Sequence, residues 1–160
     1  MSVQSFSFCF DPQKKSADPL WKDRVERWYQ LDETSMAVCS ALSEWNLQQR
    51  WPKLFDQFIY ISDFGSNVAD AEFVAQNPPS PSRFVYTLPS IAPAVINQFL
   101  SWSGPVYCLN QTTASSSAWS WAEKLAESHF KKKGWSTFIL VASLQLNATR
   151  QRLIKGYMYE

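Results

Sequence analysis

Apolar residues recur along this chain in short runs and stripes, and their spacing predicts alternating strands and helices. Ser5 to Phe10 reads as a first strand, stopped by Asp11-Pro12. Trp21, Val25, Trp28 and Tyr29 fall at i, i+4, i+7 and i+8, the spacing of one helix face. Asp32 to Ser35 supplies N-cap residues for a second helix with the stripe Val38, Ala41, Leu42 and Trp45, and Pro52 marks the break after it. Phe58 to Ile61 is β-branched and aromatic, hence a strand. Asp63 to Ser66 reads as a turn before a short helix around Val68 to Ala75, and Asn77 to Arg83 as a Pro-rich loop.

Pro89 to Trp102 has helical spacing in Ile91, Val95, Phe99 and Trp102, with Pro93 in its first turn. A strand at Pro105–Asn110 follows, then the longest helix, Ala114–Lys133. Its stripe is Ala118, Trp121, Ala122, Leu125 and Ala126. Trp119 and Phe130 widen it, which predicts a helix buried on more than one side. Lys131 to Lys133 suit its C-terminus and Gly134 its C′ position. Thr137 to Leu144 and Leu153 to Tyr159 read as two last strands. The expected fold class is α/β, with a mixed β-sheet packed by helices.

Composition narrows the class. The chain has 160 residues, 46% hydrophobic, 16% aromatic and 18% charged, with eight Trp. That excludes an intrinsically disordered chain. Fifteen basic against fourteen acidic residues give a net charge of +1, so neither nucleic acid nor an anionic membrane is an expected partner. Many aromatics with little charge imply apolar surface that a partner covers. Cys9, Cys39 and Cys108 are odd in number and lack CxxC spacing. They read as reduced, buried thiols in a cytoplasmic protein, with no metal site and no cofactor. Met1 to Phe10 has no signal-peptide pattern, and the longest apolar run, Phe138 to Ala142, is too short to span a bilayer. The sequons at Asn110 and Asn147 are then chance matches.

The stretch SPSRFVYTLPSIAPAVINQFLSWSGPVYCLNQTTASSSAWSWA, Ser80 to Ala122, resembles the N-terminal half of the β-ketoacyl synthases of the thiolase superfamily. Ser80-Pro81, Gly104-Pro105 and Ala114-Ser115 fall at that family's punctuation points. IYISDFGSNVA (Ile59 to Ala69) and STFILVASLQ (Ser136 to Gln145) look like its flanking strands, so the resemblance covers about residues 34–146. It implies one ketosynthase-like N-terminal-half domain over 1–160, a truncated thiolase-like fold.

The departures define the expected role. The family's cysteine nucleophile falls on Thr113, and its glycine after Ala-Ser on Ser116. A cysteine at a helix N-terminus is acidified by the dipole and by free N–H groups, whereas a threonine hydroxyl needs an adjacent base. His129 is the one histidine, about four helical turns beyond Thr113.

The resemblance therefore implies a chain length factor, a ketosynthase-like subunit without the nucleophile that pairs with an active ketosynthase, as a heterodimer or heterotetramer, in polyketide, aryl polyene or fatty acid-like biosynthesis. It puts Phe64, Asn67 and Val68 on the turn that gates the acyl tunnel. It puts Arg83 and Phe84 on a segment reaching across the dimer, and the edge strand Val106, Tyr107, Cys108, Leu109 and Asn110 at the partner interface. An acyl carrier protein is a further expected partner, steered by Lys131 to Lys133. Two alternatives stay open: a diverged acyltransferase or hydrolase using Thr113, Ser115 or Cys108, and a homodimeric scaffold that binds an acyl carrier protein.

Overall fold

The structure is a computed structural model, and it describes residues 1–14, 16–47, 55–62, 71, 73–75, 78, 91–110, 117–144 and 151–160. Five strands form one sheet: β1 (Val3–Phe10), β2 (Gln57–Ser62), β3 (Val106–Asn110), β4 (Thr137–Leu144) and β5 (Arg152–Tyr159). Their spatial order is β1-β5-β4-β2-β3. β2 runs parallel to both β3 and β4, and β5 runs antiparallel to β4 and β1. The sheet is mixed, as the alternation of strands and helices predicts.

Strand alternation sorts the core into two layers. Phe58 and Tyr60 of β2, Phe138, Leu140 and Ala142 of β4, and Ile154 and Met158 of β5 face one side. There they meet α1 (Glu33–Leu47) and α2 (Ile91–Leu100). The intervening Ile59, Ile61 and Ile139 face the other side, against Ala122 and Ala126 of α3 (Ser117–Lys133). The first layer is strongly aromatic: Phe138 stacks on both Trp45 and Phe58, with centroids 5.7 and 5.5 Å apart. β2 is buried along its whole length because it is covered on both faces and flanked on both edges.

The expected stripe of α1 is correct, with Val38, Ala41, Leu42 and Trp45 all buried. Asp32 caps this helix by accepting the Ser35 N–H at 3.2 Å. Burial pushes the Asp32 carboxyl up, and the hydrogen bonds from Ser35 and Thr34 and the Arg152 charge oppose that rise. Gly134 ends α3 with φ +68° and donates to the Phe130 carbonyl at 2.8 Å, as expected of a C′ glycine.

Three expectations need correction. Trp21 to Tyr29 is not one helix. It forms two short 3₁₀ turns, Lys22–Arg24 and Trp28–Gln30, separated by an extended Val25 and a left-handed Arg27. Tertiary packing decides this. Trp21 and Val25 are buried, and the Trp21 indole donates to Ser40 Oγ on α1 at 3.1 Å, while Tyr29 is left exposed.

α2 stops at Leu100, short of Trp102. Ser101 takes a left-handed φ of +50°, and the Trp102 N–H returns to the Asn97 carbonyl at 3.0 Å. This turn brings the Trp102 indole to the Phe55 carbonyl at 3.0 Å. Finally, α3 is not buried on several sides. Only Ala122 and Ala126 are buried, Trp119 and Phe130 are half-buried, and Trp121, Lys124, Glu127 and Lys131 face outward.

Candidate partner interface and strand ends

β2 and β3 end side by side, with Ser62 and Asn110 paired in register. Parallel sheets open their carboxyl ends to ligands, and here β3 leads toward α3 at that same end. The expected tunnel-gating residues Phe64, Asn67 and Val68 lie outside the described residues. So do Arg83, Phe84, Thr113, Ser115 and Ser116, together with Asp63, Pro52 and Asn147.

The rest of the expected interface is β3. It is an edge strand, and among the described residues no strand pairs with its outer side. Phe58 N–H donates to the Pro105 carbonyl at 3.0 Å and is the register partner of Val106. In a parallel ladder this turns the backbone groups of Tyr107 and Leu109 toward β2. Those of Val106, Cys108 and Asn110 point to the open side. Edge strands of this kind are templates for pairing with another chain.

An aromatic pair flanks the strand. Tyr107 and Trp121 meet edge to face, with centroids 5.9 Å apart, and Trp121 stays 44% exposed. On the other flank of α3, Trp119 packs against Tyr157 of β5 at 4.6 Å. The apolar spacing of α3 signals both tryptophans. It does not say that one covers the sheet and the other borders its edge.

The thiols depart from expectation. Cys39 is buried, but Cys9 and Cys108 are exposed, because each sits on an edge strand that no helix fully covers. Partial burial nonetheless raises the Cys108 thiol above its ordinary value. An activated thiol nucleophile requires the opposite shift. Burial raises Cys39 as well, to far outside the physiological range.

His129 is committed at the other end of the sheet. Gln57 opens β2 and Thr137 opens β4, and Gln57 Nε2 donates to Thr137 Oγ1 at 2.6 Å. That leaves Gln57 Oε1 to accept from His129 Nδ1, also at 2.6 Å. Desolvation lowers the imidazole pKa, and the charges of Lys133 and Lys132 lower it further. Trp135 packs edge-on to the ring at 5.5 Å and carries the Lys133 ammonium over its face at 4.0 Å. This network has little sequence signal beyond a glutamine leading an apolar run. Among the described residues, no group of His, Cys, Asp and Glu is placed to hold a metal ion, and no helix is long and apolar enough to cross a membrane.

No protein-family model matches the sequence, and no curated protein matches it. The structure is similar to a chain of the solved complex of the ketosynthase ApeO with its chain length factor ApeC from Xenorhabdus doucetiae. The TM-score is 0.63 at 11% sequence identity, covering 91% of this chain. The match spans 62% of that other chain. A mixed five-stranded sheet, with α1 and α2 on one face and α3 on the other, thus gives this chain a ketosynthase-like fold of the thiolase type.

Proposed function

We propose that this chain is a non-catalytic chain length factor subunit. It pairs through the open edge of β3 with an active ketosynthase and bounds the acyl tunnel in polyketide, aryl polyene or fatty acid-like biosynthesis. The likeness in fold to a ketosynthase–chain length factor complex carries the reading. Fold alone does not assign function, so the chemistry of the residues matters beside it.

Two features of the chain favour a binding role. Thr113 stands at the position where the resemblance expects the nucleophilic cysteine. The single histidine is hydrogen-bonded to Gln57 at the start of β2, whereas the chain leading to Thr113 leaves the sheet at the end of β3. The imidazole therefore lies at the opposite end of the sheet from the end of β3, too far to act there as a base for acyl transfer. In this reading the partner supplies the cysteine and histidines. This chain acts by shape, through Phe64, Asn67 and Val68 at the tunnel and Arg83, Phe84 and β3 at the interface. An acyl carrier protein meets the heterodimer or heterotetramer at Lys131 to Lys133, which are exposed at the end of α3.

Co-expression tests it. The tagged chain is produced with a ketosynthase from the same organism. The expected result is a stoichiometric complex that condenses acyl groups, while this chain alone is neither acylated nor active. Acylation of the isolated chain at Thr113, Ser115 or Cys108 would replace this reading with an acyltransferase.

A further inference from the structure

We propose that β1, the edge of the sheet opposite β3, pairs antiparallel with β1 of a second copy of this chain about a two-fold axis at Phe6. The hydrogen-bonding phase of β1 fixes the register. Ser2 N–H donates to the Glu160 carbonyl at 2.6 Å, and Glu160 N–H returns to the Ser2 carbonyl at 3.1 Å. Such closed pairs recur at every second residue of an antiparallel ladder, so Gln4, Phe6, Phe8 and Phe10 also turn their backbone groups toward β5. Those of Val3, Ser5, Ser7 and Cys9 point away from the sheet, and among the described residues no strand meets them. An axis at Phe6 sets Val3 against Cys9 of the copy and Ser5 against Ser7, so all four outward residues are hydrogen-bonded. An axis at Ser5 sets Cys9 against Met1, and one at Ser7 sets Val3 against Asp11, each outside the strand.

Two features choose a second copy as the occupant. β1 spans eight residues, VQSFSFCF, with no charge, proline or glycine, and its register with β5 runs without a bulge. Edges of this length that stay open to water are blunted by one of those devices, and β1 carries none. The strand is also self-complementary about Phe6. On the face toward α1, Phe6 meets Phe6 of the copy as a non-hydrogen-bonded pair, the kind with Cα atoms about 4.5 Å apart. Phe6 packs on Trp45 with centroids 4.4 Å apart yet is only half-buried, as is Phe8, and the pairing covers the aromatic surface that remains. On the opposite face the exposed Ser5 and Ser7 exchange hydroxyl hydrogen bonds across the strands, and the exposed Val3 meets Cys9. β3 stays free, so this inference is independent of pairing with a ketosynthase, and two heterodimers can join through β1.

Light scattering of the purified full chain should give twice the 18.4 kDa of one chain. Ser5→Glu with Ser7→Glu sets carboxylates opposite each other at both pairs, and should give a monomer with an unchanged circular dichroism spectrum. Ser5→Lys with Ser7→Glu sets opposite charges there and should remain a dimer. A monomeric wild-type chain, or a dimer that the two glutamates leave intact, would overturn the proposal.

Oxidative cross-linking reads the register. In a Cys108→Ser background, Val3→Cys sets a thiol opposite Cys9 of the copy, with Cα atoms about 5.5 Å apart, within the span of a disulfide. Within one chain the two positions lie about 20 Å apart along an extended strand, too far to join. Diamide should turn this variant into a covalent dimer on a non-reducing gel, reversed by dithiothreitol. Each pair of thiols loses two protons and two electrons, which diamide takes up to become the hydrazine. Cys108→Ser alone should stay unlinked, because its Cys9 faces Val3. A link through Cys9 in Cys108→Ser, or none after Val3→Cys, would equally overturn the proposal. None of these outcomes touches pairing with a ketosynthase at β3, which is read by co-purification.

Discussion

Arg152 Nη2 donates to Glu33 Oε2 at 3.1 Å, joining the first residue of β5 to the first turn of α1 across 119 positions of sequence. The arginine side chain is only 4% exposed, while Glu33 is 36% exposed. Burying a guanidinium requires a counter-charge, so this pair fixes where α1 begins over the sheet. Glu33→Ala should lower stability by about 1–3 kcal/mol, below the range for a fully buried pair because water reaches the carboxylate. Urea denaturation of the two proteins measures it, and Glu33→Gln should recover part of the loss.

His129 should titrate below the ordinary histidine value of 6.5, since burial and two lysines lower it. The sign follows from linkage. Below about pH 6.5 the unfolded chain takes up a proton that the folded chain refuses, so stability falls as pH drops through the interval down to the folded pKa. Because this is the one histidine in the chain, a single imidazole resonance reports it by NMR. The same spectrum should show the Nδ1–H tautomer. A titration midpoint above 6.5 would mean that burial and the two lysine charges do not dominate at this ring.

Ser101 closes α2 with a left-handed backbone that a Cβ disfavours. Ser101→Gly should therefore stabilise the protein by about 0.5–1 kcal/mol, seen as a raised thermal midpoint. A destabilised variant would mean that the serine side chain holds the turn.

Gly156 of β5 lies under the ring of Phe6 on β1, its register partner. A Cβ at Gly156 would run into that ring, which itself packs on Trp45 with centroids 4.4 Å apart. Gly156→Ala should cost about 1–3 kcal/mol through overpacking. Adding Phe6→Leu should relieve part of it, a coupling that a double-mutant cycle measures.

Val68 is expected at the tunnel. In a complex with an active ketosynthase, Val68→Trp should shorten the acyl product by filling the tunnel end, while leaving complex formation unchanged. Mass spectrometry of the released acyl chains checks both the direction and the persistence of activity. An unchanged product length would remove Val68 from the tunnel.

Much of the secondary structure was legible because it rests on local spacing. The stripe Val38, Ala41, Leu42 and Trp45 allows only a helix with one buried face, and Phe58 to Ile61 and Thr137 to Leu144 are β-prone throughout. Gly134 as a C-cap and Pro93 in a first turn are equally local statements. The same logic misled at Trp21 to Tyr29, where helical spacing is present but the chain instead bends to bury Trp21 and Val25. It misled again at α3, whose many aromatics suggested central burial.

The sequence by itself determined the α/β class and the order of its strands, because each follows from residue type at a given spacing. Only the tertiary structure decided that Cys108 is exposed on β3, that Trp121 borders that strand, and that His129 meets Gln57 at the other end of the sheet. Those facts depend on which strand lies beside which, and on pairings such as Gln57 with Thr137 that join residues 80 positions apart. Hydrogen bonds and packing over such distances leave no periodic trace in the chain. They arise only when the sheet assembles and each strand is assigned its neighbours.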